Sequence, residues 1–207
     1  MLIGREQEKK ELLDALASDY SEFIAVYGRR RVGKTFLIRE TFNYKFTFQH
    51  TGMANTTSKN QLVNFRDSLI EQGATKVPKL NNWLEAFSEL KRFLNVSTDE
   101  RKLVFIDELP WLDTPKSDFL SALEHFWNGW ATSRKDIVLI VCGSATSWIV
   151  EKIINNHGGL HNRLTKRIKL NPFTLKECES FIESKHISMN RYQIVEAYMI
   201  LGGIPYY

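Results

Sequence analysis

The apolar positions of this chain fall into short continuous runs separated by longer periodic stretches. Phe23-Ile24-Ala25-Val26-Tyr27, Leu103-Val104-Phe105-Ile106 and Ile137-Val138-Leu139-Ile140-Val141-Cys142 are runs of strand length, rich in β-branched and aromatic residues. Strands apolar on both faces belong inside a parallel sheet that helices cover on each side. Residues 45–51 alternate instead, with Phe46 and Phe48 set between polar residues, and predict a further strand that Gly52 ends. Residues 166–170 also alternate and predict the last strand, closed by Pro172, which has no N–H for a ladder.

Helical spacing fills the intervals. Leu12, Leu13 and Leu16 mark a first amphipathic helix, and residues 35–42 a second. A helix starting at Thr57-Ser58-Lys59 carries Leu62, Phe65 and Leu69 through Glu71; the next carries Trp83, Phe87, Leu90 and Leu94. Phe119, Leu123, Phe126, Trp127 and Trp130 give another helix a broad apolar face. Residues 174–184 and 191–201 read as two final helices, and Gly202-Gly203-Ile204-Pro205 stops the second. The aromatics at these spacings are core stripes. Strands alternating with helices predict an α/β fold built on a parallel sheet.

Composition narrows the setting. The chain has 207 residues, 43% hydrophobic and 25% charged, enough for one good core and a small second unit. Its longest apolar run, residues 137–142, is far short of the roughly 18 residues of a membrane span, and its start lacks a signal-peptide core. No membrane association is expected. Cys142 and Cys178 lie far apart without metal-ligand spacing, which predicts free thiols and a reducing, cytoplasmic home. The net charge of +4 permits nucleic-acid contact without arguing for it. His157 and His161 are poor metal ligands, because Gly158 and Gly159 between them oppose a helix and no carboxylate accompanies them.

Two stretches carry chemistry. Gly28-Arg29-Arg30-Arg31-Val32-Gly33-Lys34-Thr35 fits the phosphate-binding pattern G-x-x-x-x-G-K-[ST], between a predicted strand and a predicted helix that opens through Phe36. Unpaired N–H groups of such a loop and the helix dipole both favour an anion. Lys34 is expected to reach the β- and γ-phosphates and Thr35 to ligate Mg²⁺. The second stretch, Leu103 through Glu108, ends a buried strand in two carboxylates at the sheet edge where α/β folds bind ligands. After a P-loop this is the Walker B pattern: Asp107 for the Mg²⁺, Glu108 to orient or deprotonate the attacking water. Ser144, just past the next strand, is expected beside these carboxylates as a sensor of the γ-phosphate or the water, while Ser147 or Thr146 caps the following helix. Arg163, Lys166, Arg167 and Lys169 form either a solvated basic face or a group near phosphates.

These blocks, with Gly4-Arg5-Glu6 at the start, Phe105 through Leu112, and Gly202-Gly203-Ile204-Pro205-Tyr206 at the end, resemble the archaeal-type P-loop ATPases, relatives of the AAA+ and STAND proteins. The resemblance implies an additional-strand P-loop core over residues 1–171, with five parallel strands between helices and the P-loop strand near the centre. It implies ATP as the nucleotide, in keeping with the lack of an N-K-x-D guanine signature. It places residues 28–36 around the phosphates, Gly4 and Arg5 near the adenine, and Arg163, or Arg167, at a neighbouring subunit's γ-phosphate, hence a homo-oligomer. Residues 172–207 become the start of a helical lid. The family continues into a winged-helix-like region, through which nucleic acid is contacted, and often a nuclease-like domain. The expected activity is Mg²⁺-dependent ATP hydrolysis. Its rivals are a slow STAND-like switch, a small-molecule kinase on the same scaffold, and a DNA-binding module.

Overall fold

The computed structural model describes residues 2–155 and 157–205. Five strands, β1 (Glu22–Tyr27), β2 (Phe48–Thr51), β3 (Lys102–Asp107), β4 (Ile137–Gly143) and β5 (Lys166–Lys169), pair in parallel in the order β2-β3-β4-β1-β5. The P-loop strand β1 sits one place from the centre, and β3 and β4, the two fully buried strands, occupy the interior. Side chains alternate between two cores, as the pleat requires. Phe23, Ala25, Val104, Ile106, Leu139 and Val141 face helices α3 (Ser58–Glu71), α4 (Trp83–Val96) and α5 (Phe119–Gly129). Ile24, Val26, Leu103, Phe105, Val138 and Ile140 face α1 (Glu6–Leu16) and α2 (Lys34–Thr41). The outcome is a three-layer sandwich.

Strand β2 is three residues shorter at its start than the alternation predicts. Asn43 and Tyr44 hold φ of 51° and 59°, so the chain is still turning out of α2 when Phe46 inserts against Phe42 and Phe105. The outer edge of β2 is closed by a side chain. Gln49 N–H donates to Gln72 Oε1 at 2.7 Å, and Gln72 Nε2 donates back to the Gln49 carbonyl at 2.8 Å, so one amide takes the place of a sixth strand. The opposite edge, β5, presents Arg167 and Lys169 to solvent and buries Ile168, the charged-edge pattern that discourages further pairing.

Beyond β4 the chain forms a short α6 (Thr146–Trp148) that continues as one π-helical segment, Ile149–Ile154. Ala145 occupies its N-cap and no side chain caps it, so neither Thr146 nor Ser147 plays the capping role the sequence allows. After β5, α7 (Leu175–Ser184) and α8 (Arg191–Leu201) each start with a capping box, Thr174 with Glu177 and Asn190 with Gln193. Phe173 N–H donates to the Gly203 carbonyl at 2.7 Å, which draws the end of α8 back to the loop after β5. No helix among the described residues is long and apolar enough to cross a membrane.

Candidate functional site

The loop between β1 and α2 is fixed by close backbone approaches. Gly28 has φ of 147°, and a Cβ there would lie 2.2 Å from the Leu170 carbonyl oxygen. Only glycine lets the loop pass that close to the chain leaving β5. Gly33, at φ 91°, then sets the N-cap of α2, whose first residue is Lys34. The Lys34 side chain is buried and its Nζ donates to the carbonyls of Gly28 and Arg29, both at 2.9 Å. Its ammonium therefore lies across the mouth of the loop, among N–H groups and the positive end of a helix.

The end of β3 meets this loop. Thr35 Oγ1 donates to Asp107 Oδ2 at 2.7 Å, and Glu108 N–H donates to Asp107 Oδ1 at 2.9 Å. Asp107 is only 4% exposed, so its carboxylate is held from two sides in a place shielded from bulk water. Beside it lies Cys142, fully buried; burial first, and then the Asp107 carboxylate, raise its pKa well above the ordinary thiol value. It is a neutral thiol, as its place in an apolar run predicts.

Glu108 is bent out of the strand. It adopts φ 48° and ψ 44°, a left-handed conformation that costs a non-glycine residue about 1–2 kcal/mol. The surroundings enforce it: Trp111 N–H donates to the Glu108 carbonyl at 3.0 Å, and Gly52 leaves room for that carbonyl, which a Cβ would meet at 2.7 Å. The bend turns the carboxylate toward the end of β4. There Ser144 Oγ donates to Oε1 at 3.1 Å and to Oε2 at 3.0 Å, with the Ser144 N–H adding a longer bond at 3.4 Å. Trp148 Nε1 donates to Asp113 Oδ2 at 3.0 Å and so ties α6 to the loop after Glu108.

A cavity of about 1020 Å³ runs along this surface. At one end it is polar: Arg30, Arg31, Lys34, Thr35, Glu108 and Ser144 line it. The rest of its lining is mostly apolar, with Leu2, Phe36, Phe173, Phe181 and Pro205 beside Lys185 and His186. A charged group at one end and a flat, largely apolar group at the other is the shape of a nucleotide. Of the residues assigned from sequence, Thr35, Lys34, Glu108 and Ser144 converge here, together with Val32, Gly33 and Phe36. Asp107 lies behind Thr35, and Arg29 faces a separate hollow.

Arg5 borders the cavity, yet its guanidinium is engaged: it stacks 4.6 Å over Phe173, donates to the Asn171 carbonyl at 2.7 Å and lies 3.6 Å from Glu8. Gly4 packs against Glu177 on α7. Arg163 is exposed in the turn before β5. Thr165 pairs with Phe23 at the start of β1, whereas the P-loop follows Tyr27 at its end, so Arg163 stands about 15 Å or more along the sheet from its own P-loop. Phe173, Phe181, Lys185, His186, Leu2 and Pro205 carry no motif of their own. Only the Gly-Gly-Ile-Pro run hinted at one of them, and it was legible as a helix stop.

Residues 2–207 match a protein family described as an ATPase domain predominantly from Archaea. The chain belongs to that family. It is 28% identical over its full length to the uncharacterized protein MJECL04 of Methanocaldococcus jannaschii, and spans 43% of that protein. Among solved structures, the Walker-type ATPase PABY2304 of Pyrococcus abyssi superposes with a TM-score of 0.70 at 19% identity, covering 99% of this chain and 65% of that one. The ORC1 protein of Aeropyrum pernix, solved in complex with DNA, superposes with a TM-score of 0.66 at 15% identity, covering 90% of this chain and 50% of that one. At such identities the structures share the fold: an ATPase domain of the P-loop class.

Proposed function

We propose that this ATPase domain binds ATP together with Mg²⁺ and hydrolyses it to ADP and phosphate. The observation that carries the reading is the convergence of Lys34, Thr35, Glu108 and Ser144 on the polar end of one nucleotide-sized cavity. Lys34 and the loop N–H groups take the β- and γ-phosphates, exchanging the Lys34 bonds to Gly28 and Arg29 for phosphate oxygens. Phe36, Phe173 and Phe181 offer apolar faces for the base.

Thr35 and Asp107 suit a hard cation, since their side-chain oxygens lie 2.7 Å apart at the end of a buried strand. Mg²⁺, when bound, neutralises charge on the phosphate oxygens. Glu108 takes a proton from the attacking water as the water oxygen bonds to the γ-phosphorus, and the electron pair of the broken bond leaves on the β-phosphate oxygen. Ser144 holds Glu108 in line with this end of the cavity.

A second reading is a switch that binds ATP and turns over rarely. Ser144 engages both oxygens of Glu108, which favours it. Copurified nucleotide with negligible turnover is its signature. In either reading, residues 172–205 form the start of a lid over the base end, as Phe173, Phe181 and Pro205 suggest. Arg163, remote from its own loop, acts on a neighbouring copy in a homo-oligomer. Contact with DNA is a further reading, on the analogy of the ORC1 fold alone.

Lys34→Ala is expected to weaken ATP binding by about 10²-fold, the scale of losing charge-assisted bonds to phosphate. Titration calorimetry measures it, and unchanged affinity would remove the P-loop from the binding site. Gly28→Ala, which drives a Cβ into the Leu170 carbonyl, is expected to lower ATP turnover by about 10²-fold through a displaced loop. A steady-state assay with a melting curve alongside separates that from unfolding.

A further inference from the structure

The P-loop carries three successive arginines, Arg29, Arg30 and Arg31, all exposed. A triphosphate in the cavity already meets Lys34, the loop N–H groups and the start of α2. A second hollow of about 770 Å³ opens on the Ser144 side of the loop. Arg30, Arg31 and Ser144 border both spaces, whereas Arg29, Thr146 and Ser147 border only the second. No carboxylate among the described residues forms an ion pair with Arg29 or Arg30, and neither the Thr146 nor the Ser147 hydroxyl has a hydrogen-bond partner there.

Three cationic side chains lining one hollow make it favourable for an anion. Guanidinium forks with free hydroxyls are the donors a tetrahedral oxyanion takes. Ile204 is the one large apolar side chain in the lining, so the hollow has no aromatic platform for a base. Its ligand is a phosphate without a nucleoside.

We propose that Arg29, Arg30 and Arg31 with the Thr146 and Ser147 hydroxyls form a second anion subsite beside the γ-phosphate position, Ser144 being engaged with Glu108 at its border, and that it holds inorganic phosphate. The proposal rests on the ATPase reading. Phosphate has two sources, the group just cleaved from ATP and the free ion in solution. A cleaved phosphate moves past Arg30, Arg31 and Ser144 into the hollow without leaving charged surface, so its release lags behind cleavage.

The test titrates inorganic phosphate into the ADP-loaded chain by calorimetry, for wild type and for a Thr146→Val/Ser147→Ala double variant. Saturable binding that the variant weakens about tenfold, with ADP affinity unchanged, is the expected result. Absence of phosphate binding overturns the proposal. Equal affinity in the variant also overturns it, because the ion then sits in the P-loop itself. Failure to bind ADP defeats the ATPase reading on its own readout, and titration of the nucleotide-free chain and its variant then decides the subsite. Rapid mixing with ATP and a fluorescent phosphate reporter distinguishes the sources: a release lag shortened in the variant marks cleaved phosphate, and saturable binding without a lag marks the solution ion.

Discussion

Glu108→Gln is expected to cut ATP turnover by about 10²–10⁴-fold while ATP affinity stays nearly unchanged. The amide has the shape of the carboxylate and keeps one oxygen for the Ser144 hydroxyl, so the bend at Glu108 and the end of β4 survive. What it loses is the ability to take a proton from water. Since that transfer occurs only in the transition state, kcat should fall with little change in KM. Single-turnover assays with labelled ATP measure the step directly. A variant within tenfold of wild type would mean that another group activates the water, and the assignment of Glu108 would fall.

Acidification should destabilise the fold through a buried histidine of the edge strand. His50 in β2 is 3% exposed, between Phe48 and the edge of Phe65. Its Nδ1 lies 2.9 Å from Ser68 Oγ, and that hydroxyl donates to the Asn64 carbonyl at 3.0 Å, so Nδ1 carries the proton and Ser68 accepts it. Nε2 is left as a buried lone pair without a partner. Protonating it would place a charge in an apolar core, and burial lowers the pKa from 6.5 to about 3.

Below pH 6.5 the unfolded chain binds a proton that the folded chain refuses. Stability is therefore complete above pH 6.5 and declines by about 1.4 kcal/mol per pH unit toward pH 3, a total of roughly 5 kcal/mol. That is comparable with the whole stability of many domains. Urea unfolding at pH 7, 5 and 4 measures the decline, and His50→Leu should remove most of it. Asp136, held at about 2 chiefly by the Arg134 hydrogen bond, adds a further loss at lower pH that both chains share. An equal decline in His50→Leu between pH 6 and 4 would show that His50 is not its origin.

The parts of the fold visible in sequence are those whose signal is local. Strands β1, β3 and β4 are buried on both faces and therefore read as unbroken apolar runs. The P-loop and the Asp107-Glu108 pair are legible because each is a pattern of fixed residue types at fixed spacing. Strand β2 starts later than its alternation suggests, since Phe46 packs from a turn as well as it would from a strand. Much of the apolar lining of the cavity was not legible. Leu2, Phe173 and Phe181 come from separate segments, and nothing in their local sequence distinguishes a cavity wall from a core stripe. Arg5 shows the reverse case: a motif position at the border of the cavity whose guanidinium is occupied with Phe173 and Asn171.

The Gln72 amide that completes β2 has a consequence for how copies of this domain meet. A sheet with one edge capped by a side chain and the other lined with cations discourages edge-to-edge pairing. Two such molecules are hindered from fusing their sheets into a continuous ribbon, which guards a crowded solution of them against fibre growth from that direction. Any assembly is then left to helices and loops, contacts that can part without unzipping backbone.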